Sequence, residues 1–139
     1  ENDRYCKLLL GKATKLKNRI NFKGTFPHEK IGEILRGMHI LVVPSIWYES
    51  APLVLISALN AHVPLMVSDL GGLTEMINKG DYGFCFPPGD GNMLSKIISK
   101  IIDRPDILEK IRKNMNNIKR TTEDYAKDIE SEYFKALAR

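Results

Sequence analysis

Residues 39–60 have the sequence HILVVPSIWYESAPLVLISALN, in which two apolar runs flank a polar loop. The first run, 39–43, is mostly β-branched or aliphatic and stops at Pro44, which is typical of a strand covered on both faces. The second run, from Pro52 to Ala61, has apolar residues around its whole circumference and predicts a buried helix. A buried strand that leads straight into a buried helix favours right-handed βαβ crossovers and a parallel sheet.

The same alternation extends on both sides of this unit. Periodicity and turn residues predict further strands at 19–23, 64–68 and 83–86, and helices at 5–17, 29–36, 73–78, 92–102, 105–119 and 122–137, with Asp90 as an N-cap. The predicted fold is therefore α/β, with a Rossmann-like parallel sheet flanked by helices and closed by C-terminal helices. Because the chain opens on a helix, we expect residues 1–139 to be a single domain that lacks a preceding strand, an N-terminally truncated fragment of a longer protein.

Composition narrows the class of protein. The 139 residues are 43% apolar and 27% charged, which is ordinary for a globular domain. A net charge of +4 is too small to indicate nucleic-acid binding, and no aromatic and basic stripe is present. Cys6 and Cys85 form no metal or redox motif and are predicted to be reduced thiols. No signal peptide or apolar stretch of about 20 residues is present, so we expect a cytoplasmic protein.

Three loops, 24–28, 45–52 and 68–72, follow predicted strands at the edge where open parallel sheets bind ligands. In the second loop, Ser50 or Ala51 is the expected N-cap of the next helix. The N–H groups of Leu53 and Val54 would then lack intrahelical partners and could bind an anion. Glu49 lies just before them, and its carboxylate can accept hydrogen bonds from sugar hydroxyls. The alternative is that Glu49 only interacts with the positive helix end.

Several ordered blocks of residues resemble one enzyme family. They are P-S-x-x-x-E-x-x-P-L-x-L-I-x-A-L from residue 44, V-P-L-x-V-S-x-x-G-G-x-x-E from residue 63, N-F-K-G from residue 21, Gly83, and P-G-D from residue 88. Over about residues 5–137 the chain resembles the C-terminal, nucleotide-sugar-binding domain of group 1 retaining glycosyltransferases of GT-B fold. The likeness implies transfer of a sugar from a nucleoside diphosphate to an acceptor hydroxyl with retention and without a metal or other cofactor.

The resemblance also implies partners and a setting. The acceptor-binding N-terminal domain would precede residue 1, so residues 1–139 alone are expected to be inactive. Family likeness suggests polysaccharide biosynthesis and leaves room for peripheral contact of the intact enzyme with the inner face of the membrane. The basic residues between 96 and 120 are spread around helices and predict solvated faces rather than a membrane patch.

Site residues follow from the resemblance, position by position. Glu49 matches the catalytic-site glutamate that contacts donor-sugar hydroxyls. The diphosphate contacts correspond to Ser50, Ala51, Leu53 and Val54, and the nucleobase contacts to Gly24, Thr25, Phe26 and His28. Two of the nucleobase candidates have structural alternatives, because Phe26 can pack beneath its loop and His28 can cap the next helix. Gly71 and Gly72 are expected to form a tight turn that starts a helix.

Two positions depart from the family pattern. Ser57 stands where a second glutamate, eight residues after the first, usually holds the ribose hydroxyls, and a hydroxyl cannot provide the charged bidentate acceptance of a carboxylate. His62 stands where the family tends to have a glycine in the left-handed conformation. Either this branch holds its nucleotide differently or the site has weakened. These two departures favour a degenerate scaffold domain as the alternative function. An epimerase of the same fold and a basic nucleic-acid module are two further alternatives.

Overall fold

The computed structural model describes residues 2–16, 19–50, 52–77, 80–116, 118 and 122–137. The strands in these residues are β1 (Leu41–Val43), β2 (Leu65–Ser68) and β3 (Gly83–Phe86). The helices are α1 (Asn2–Thr14), α2 (Ile31–Arg36), α3 (Leu53–Asn60), α4 (Gly71–Met76), α5 (Gly91–Asp103), α6 (Asp106–Met115) and α7 (Thr122–Leu137), and a 3₁₀ turn, His28–Lys30, precedes α2. The strands form one parallel sheet in the order β1-β2-β3. This confirms the predicted α/β fold, a Rossmann-like sheet flanked by helices.

The central strand β2 supplies the core on both faces of the sheet. All four of its residues are buried. Leu65 and Val67 belong to a cluster that includes residues of α3 and α4, whereas Met66 packs with Phe86 and with Ile101 of α5. Successive side chains of a strand point to opposite faces, so this continuous apolar strand needs helices on both sides.

The strand predicted at 19–23 is absent, and β1 is only half-buried rather than covered on both faces. Residues 19–23 have no regular secondary structure, and among the described residues β1 pairs only with β2. Alternating side chains favour a strand, but a strand forms only where a neighbouring backbone supplies hydrogen bonds. The prediction at 19–23 was therefore wrong because no described strand pairs with it.

Helix α3 is also less buried than its apolar sequence predicts. Leu55 and Ala58 have no exposed surface, but Leu53 and Ile56 are 74% and 40% exposed. A helix of eight residues on one face of a sheet turns only one side toward the core. The remaining apolar residues of α3 consequently lie at the surface.

Other local predictions agree with the structure. Asp90 caps α5, since its Oδ1 accepts a hydrogen bond from the N–H of Met93 at 2.9 Å. Cys6 and Cys85 are free thiols and both are exposed. Within the described ranges, no helix combines the length and the apolar character needed to cross a membrane.

The C-terminus of α3 is closed by a Schellman motif with a histidine at its left-handed position. The N–H of Val63 donates to the carbonyl of Ala58 at 2.9 Å, and the N–H of His62 donates to that of Leu59 at 3.0 Å. His62 has φ 55°, which confirms the predicted left-handed conformation. A side chain with a Cβ adopts this conformation at a cost that glycine avoids.

We predict that His62→Gly raises the free energy of unfolding by about 1 kcal/mol, because glycine removes the left-handed strain and loses somewhat more chain entropy on folding. Urea denaturation in phosphate-free buffer measures the change. His62→Ala is the matched control, since it removes the imidazole but keeps the Cβ, and it should give no gain. Equal stabilisation by glycine and alanine would contradict the prediction, because the gain would then come from loss of the imidazole.

Candidate functional site

Glu49 is held in the loop between β1 and α3 by a hydrogen bond within that loop. Ser45 Oγ donates to Glu49 Oε1 at 2.5 Å, and both side chains are half-buried. The hydrogen bond recorded for the Glu49 carboxylate therefore comes from Ser45 and not from the first turn of α3. A carboxylate accepts through both oxygens, so Oε2 remains available to a ligand hydroxyl.

Helix α3 begins at Leu53, and its N-cap is Pro52 rather than Ser50 or Ala51. Pro52 has φ −61° and ψ 126°, an extended conformation with no side-chain capping bond. Pro52 is itself non-helical, so helical geometry starts only at Leu53. The prediction that Ser50 caps the helix was therefore wrong, and Ala51 lies outside the described residues.

The first turn of α3 leaves backbone donors available at the surface. The N–H of Leu55 bonds to the carbonyl of Pro52 at 2.9 Å, but no hydrogen bond is recorded for the N–H groups of Leu53 and Val54 among the described residues. The turn has no acidic residue, and the Leu53 side chain is 74% exposed. These donors and the positive end of the helix dipole can together bind an anion.

Gly72 lies where the loop between β1 and α3 contacts the loop that follows β2. A Cβ placed on Gly72 would overlap the carbonyl oxygens of Glu49 and Ser50, so the two backbones lie closer than any side chain would allow. Because β1 and β2 are parallel neighbours, both loops leave the same edge of the sheet. Gly71 and Gly72 start α4, as predicted, and this close approach is the reason that position 72 requires glycine.

Ser57 lies one helical turn beyond Leu53 on α3. Its Oγ donates to the carbonyl of Leu53 at 3.0 Å. This bond leaves the hydroxyl its acceptor lone pairs but commits its single proton to the helix. Position 57 therefore presents no charge toward the start of α3.

Comparison with known proteins identifies the family. The model of the family "Glycosyl transferases group 1" matches residues 1–121. The chain belongs to this family. It is 26% identical over 102 residues to the alpha-D-kanosaminyltransferase of Streptomyces kanamyceticus, which covers 73% of this chain and 26% of that protein. It is 32% identical over 84 residues to a glycogen synthase of Mycobacterium tuberculosis, which covers 60% of this chain and 20% of that protein.

A solved structure extends the likeness to the fold. Sucrose-phosphate synthase from Thermosynechococcus elongatus superposes with a TM-score of 0.75 at 26% identity, over 99% of this chain and 35% of that one. The fold is accordingly that of half of a GT-B enzyme. The chain spans only about a fifth to a quarter of the length of the curated relatives it matches.

In this group 1 glycosyltransferase domain, the predicted nucleobase loop precedes α2. Gly24 has φ 68°, which favours a residue without a Cβ, and Thr25 follows it at the surface. Phe26 is 47% exposed, so it is not packed fully beneath its loop. Pro27, not His28, is the N-cap of the 3₁₀ turn, and no side-chain capping bond forms there. The loop connects to the site through α2, which packs on α3.

Three large side chains to which the sequence assigned no role are exposed beside Glu49. Ile46, Trp47 and Tyr48 are 66%, 75% and 88% exposed. Adjacent exposed apolar side chains are typical of a surface that contacts a ligand or another domain. The signal in the sequence was the run of three bulky residues inside an otherwise polar loop. Among the described residues, no group of three potential metal-ligating side chains comes together.

We predict opposite effects for alanine at the two glycines of α4. Gly72→Ala should destabilise the domain by about 1–3 kcal/mol, because the new methyl group pushes the carbonyls of Glu49 and Ser50 away. Gly71→Ala is the matched control: its Cβ meets nothing within 4 Å, and alanine should be neutral or stabilise the helix by up to about 1 kcal/mol. Urea denaturation of both variants measures the difference. Equal stability of the two variants would show that the loops do not depend on this contact.

Proposed function

We propose that the chain is the donor-binding domain of a longer glycosyltransferase that moves a sugar from a nucleoside diphosphate to an acceptor hydroxyl with retention. The observation that carries the proposal is the pair of N–H groups at Leu53 and Val54, which have no hydrogen bond recorded within the described part of the chain, close in sequence to the half-buried carboxylate of Glu49. A diphosphate can accept hydrogen bonds from these N–H groups, and a sugar hydroxyl can donate one to the carboxylate. Family membership supports the reaction class.

The mechanism follows from where charge develops. As the bond between the sugar and the diphosphate breaks, negative charge accumulates on the leaving phosphate. Fixed N–H groups and the positive end of α3 stabilise that charge without reorganising, which is the electrostatic contribution of the site. Glu49 accepts a hydrogen bond from a sugar hydroxyl through Oε2 and orients the ring. The proposal needs no metal ion, because the helix end supplies the positive potential.

The proposal also assigns places to the acceptor and the nucleobase. The acceptor would bind to an N-terminal domain outside these residues, and the exposed side chains Ile46, Trp47 and Tyr48 are suited to face it across the cleft. The nucleobase would contact Gly24, Thr25, Phe26 or His28. A cytoplasmic location and a role in polysaccharide biosynthesis belong to the same proposal and rest on family likeness alone.

A scaffold domain without activity is the second candidate, and Ser57 is the observation that favours it. The proton of its hydroxyl is committed to the Leu53 carbonyl, so position 57 offers the ribose no charged acceptor. Calorimetric titration of the intact protein with UDP, GDP and their sugars distinguishes the two functions. Saturable binding supports the enzyme, whereas no binding of any nucleotide supports the scaffold.

We predict that Glu49→Gln lowers kcat/KM of the intact enzyme by about 10- to 100-fold, the equivalent of one charge-assisted hydrogen bond to the sugar. Initial rates of sugar transfer measure the loss. Glu130→Gln makes the same charge change on the exposed surface of α7 and should leave the rate unchanged. In the same assay, residues 1–139 alone should transfer no sugar. A folded Glu49→Gln enzyme with the original rate would exclude the proposed role.

We predict that Ser57→Glu tightens nucleoside diphosphate binding by about 10- to 100-fold, because a carboxylate one turn beyond Leu53 can accept both ribose hydroxyls. Calorimetry of the intact protein gives the affinity. Ser57→Gln is the matched control with similar size and no charge, and it should give a much smaller gain. Unchanged affinity in Ser57→Glu would show that the ribose binds elsewhere.

A further inference from the structure

A cavity lies at the edge of the sheet opposite the proposed donor site. It has a volume of about 360 Å³, and its walls come from the segments that precede β1 and β2 and from α6. The charged and titratable side chains that line it are Arg36, His39, His62 and Arg112. All parallel strands begin at one edge of the sheet and end at the other. This cavity lies where the strands begin, and the loop of Glu49 lies where they end.

The lining of this cavity, which we call the basic cavity, has cationic and donor groups but no carboxylate. Among the described residues, the side chains of Arg36, His39 and His62 have no recorded hydrogen bond or ion pair. Guanidinium groups in proteins usually pair with an acidic side chain when one is near. Two arginines that share a concave surface without such a partner favour an anionic ligand.

Arg112 is fixed in place by the backbone of the cavity wall. Its Nη2 donates to the carbonyl of His39 at 3.2 Å and to that of Met38 at 3.5 Å. Only one of its nitrogens is used in these bonds, so other N–H groups of the planar fork remain for a ligand. A guanidinium held by the backbone loses less side-chain entropy when it binds an anion.

His62 is held on the opposite wall by the Schellman motif at the end of α3. A ring N–H can donate to an anion, and the left-handed backbone fixes the direction in which the side chain leaves the helix. His39 lies in the segment whose carbonyl is bonded to Arg112. Backbone contacts therefore position the Arg112 guanidinium and the main chain of His39 and His62, independently of any ligand.

We propose that the basic cavity binds a small phosphomonoester, through the guanidinium groups of Arg36 and Arg112 and the imidazoles of His39 and His62. Phosphate oxygens match the bidentate geometry of arginine. The volume is at the lower end of the range for small-molecule sites, which suits a compact ligand. One concave pocket, rather than a basic stripe with interleaved aromatic residues, favours a small molecule over a nucleic-acid strand. This proposal does not depend on the sugar-transfer function.

Calorimetric titration of the full-length protein with inorganic phosphate at low ionic strength tests the proposal. We expect saturable binding that Arg36→Gln weakens at least about tenfold, as for loss of a charged hydrogen bond. Arg36 is exposed and has no recorded structural contact, so this variant should fold normally, which a thermal melt checks. Arg112→Lys should also weaken binding, because it keeps the charge but loses the planar fork. Lys113→Gln, an equal charge change on an exposed neighbour, should change affinity less than twofold.

Four results would overturn the proposal: no saturable binding, equal weakening by Lys113→Gln, phosphate binding that UDP displaces and that Arg36→Gln leaves unchanged, or an Arg36-dependent affinity for single-stranded oligonucleotide or anionic phosphatidylglycerol vesicles with none for phosphate. The third result would assign the bound phosphate to the donor edge. Arg36→Gln should leave nucleotide binding unchanged, so failure here is distinguishable from failure of the proposed sugar transfer.

Discussion

The candidate site depends on one backbone contact, the approach of Gly72 to the carbonyls of Glu49 and Ser50. This contact brings the loop after β1 against the start of α4 and leaves no room for a side chain between them. It determines where the loop ends, and the direction of the loop determines where Glu49 and the first turn of α3 lie. Packing at the carboxyl edge of the sheet thus positions the loop that carries Glu49, and the hydrogen bond from Ser45 fixes the Glu49 carboxylate.

Helix α3 connects the two edges of the sheet. It spans eight residues, about 12 Å. Its first turn has no side-chain cap, and its last turn ends on a non-glycine residue in the left-handed conformation. A serine at the N-cap or a glycine at the C-terminal position would each stabilise the helix by about 1 kcal/mol. Such local losses in an otherwise regular helix are concentrated where backbone donors or a fixed histidine face open surface.

Local chemistry determined which parts of this structure could be predicted from the sequence. The bounds of β3, the cap at Asp90 and the left-handed His62 follow from short-range rules, and all three were predicted. The strand at 19–23 was wrong because pairing depends on a distant backbone. The N-cap was wrong because Pro52, in an extended conformation directly before Leu53, occupies that position itself. The basic cavity was not predicted, since Arg36 and Arg112 are far apart in sequence and meet only through packing.

The departure at Ser57 bears on binding more than on chemistry. In the proposed sugar transfer the new charge appears on the phosphate, which the first turn of α3 would stabilise, whereas the ribose stays uncharged and keeps its contacts throughout. A missing contact to the ribose weakens the ground state and the transition state equally, so it raises KM and leaves kcat unchanged. Conversion to an inactive scaffold would instead require loss of the donors at Leu53 and Val54 or of Glu49, and the first turn of α3 and the Glu49 carboxylate both remain accessible. Under the proposed function, the retained and altered groups therefore favour an enzyme that binds its nucleoside weakly over an inactive scaffold.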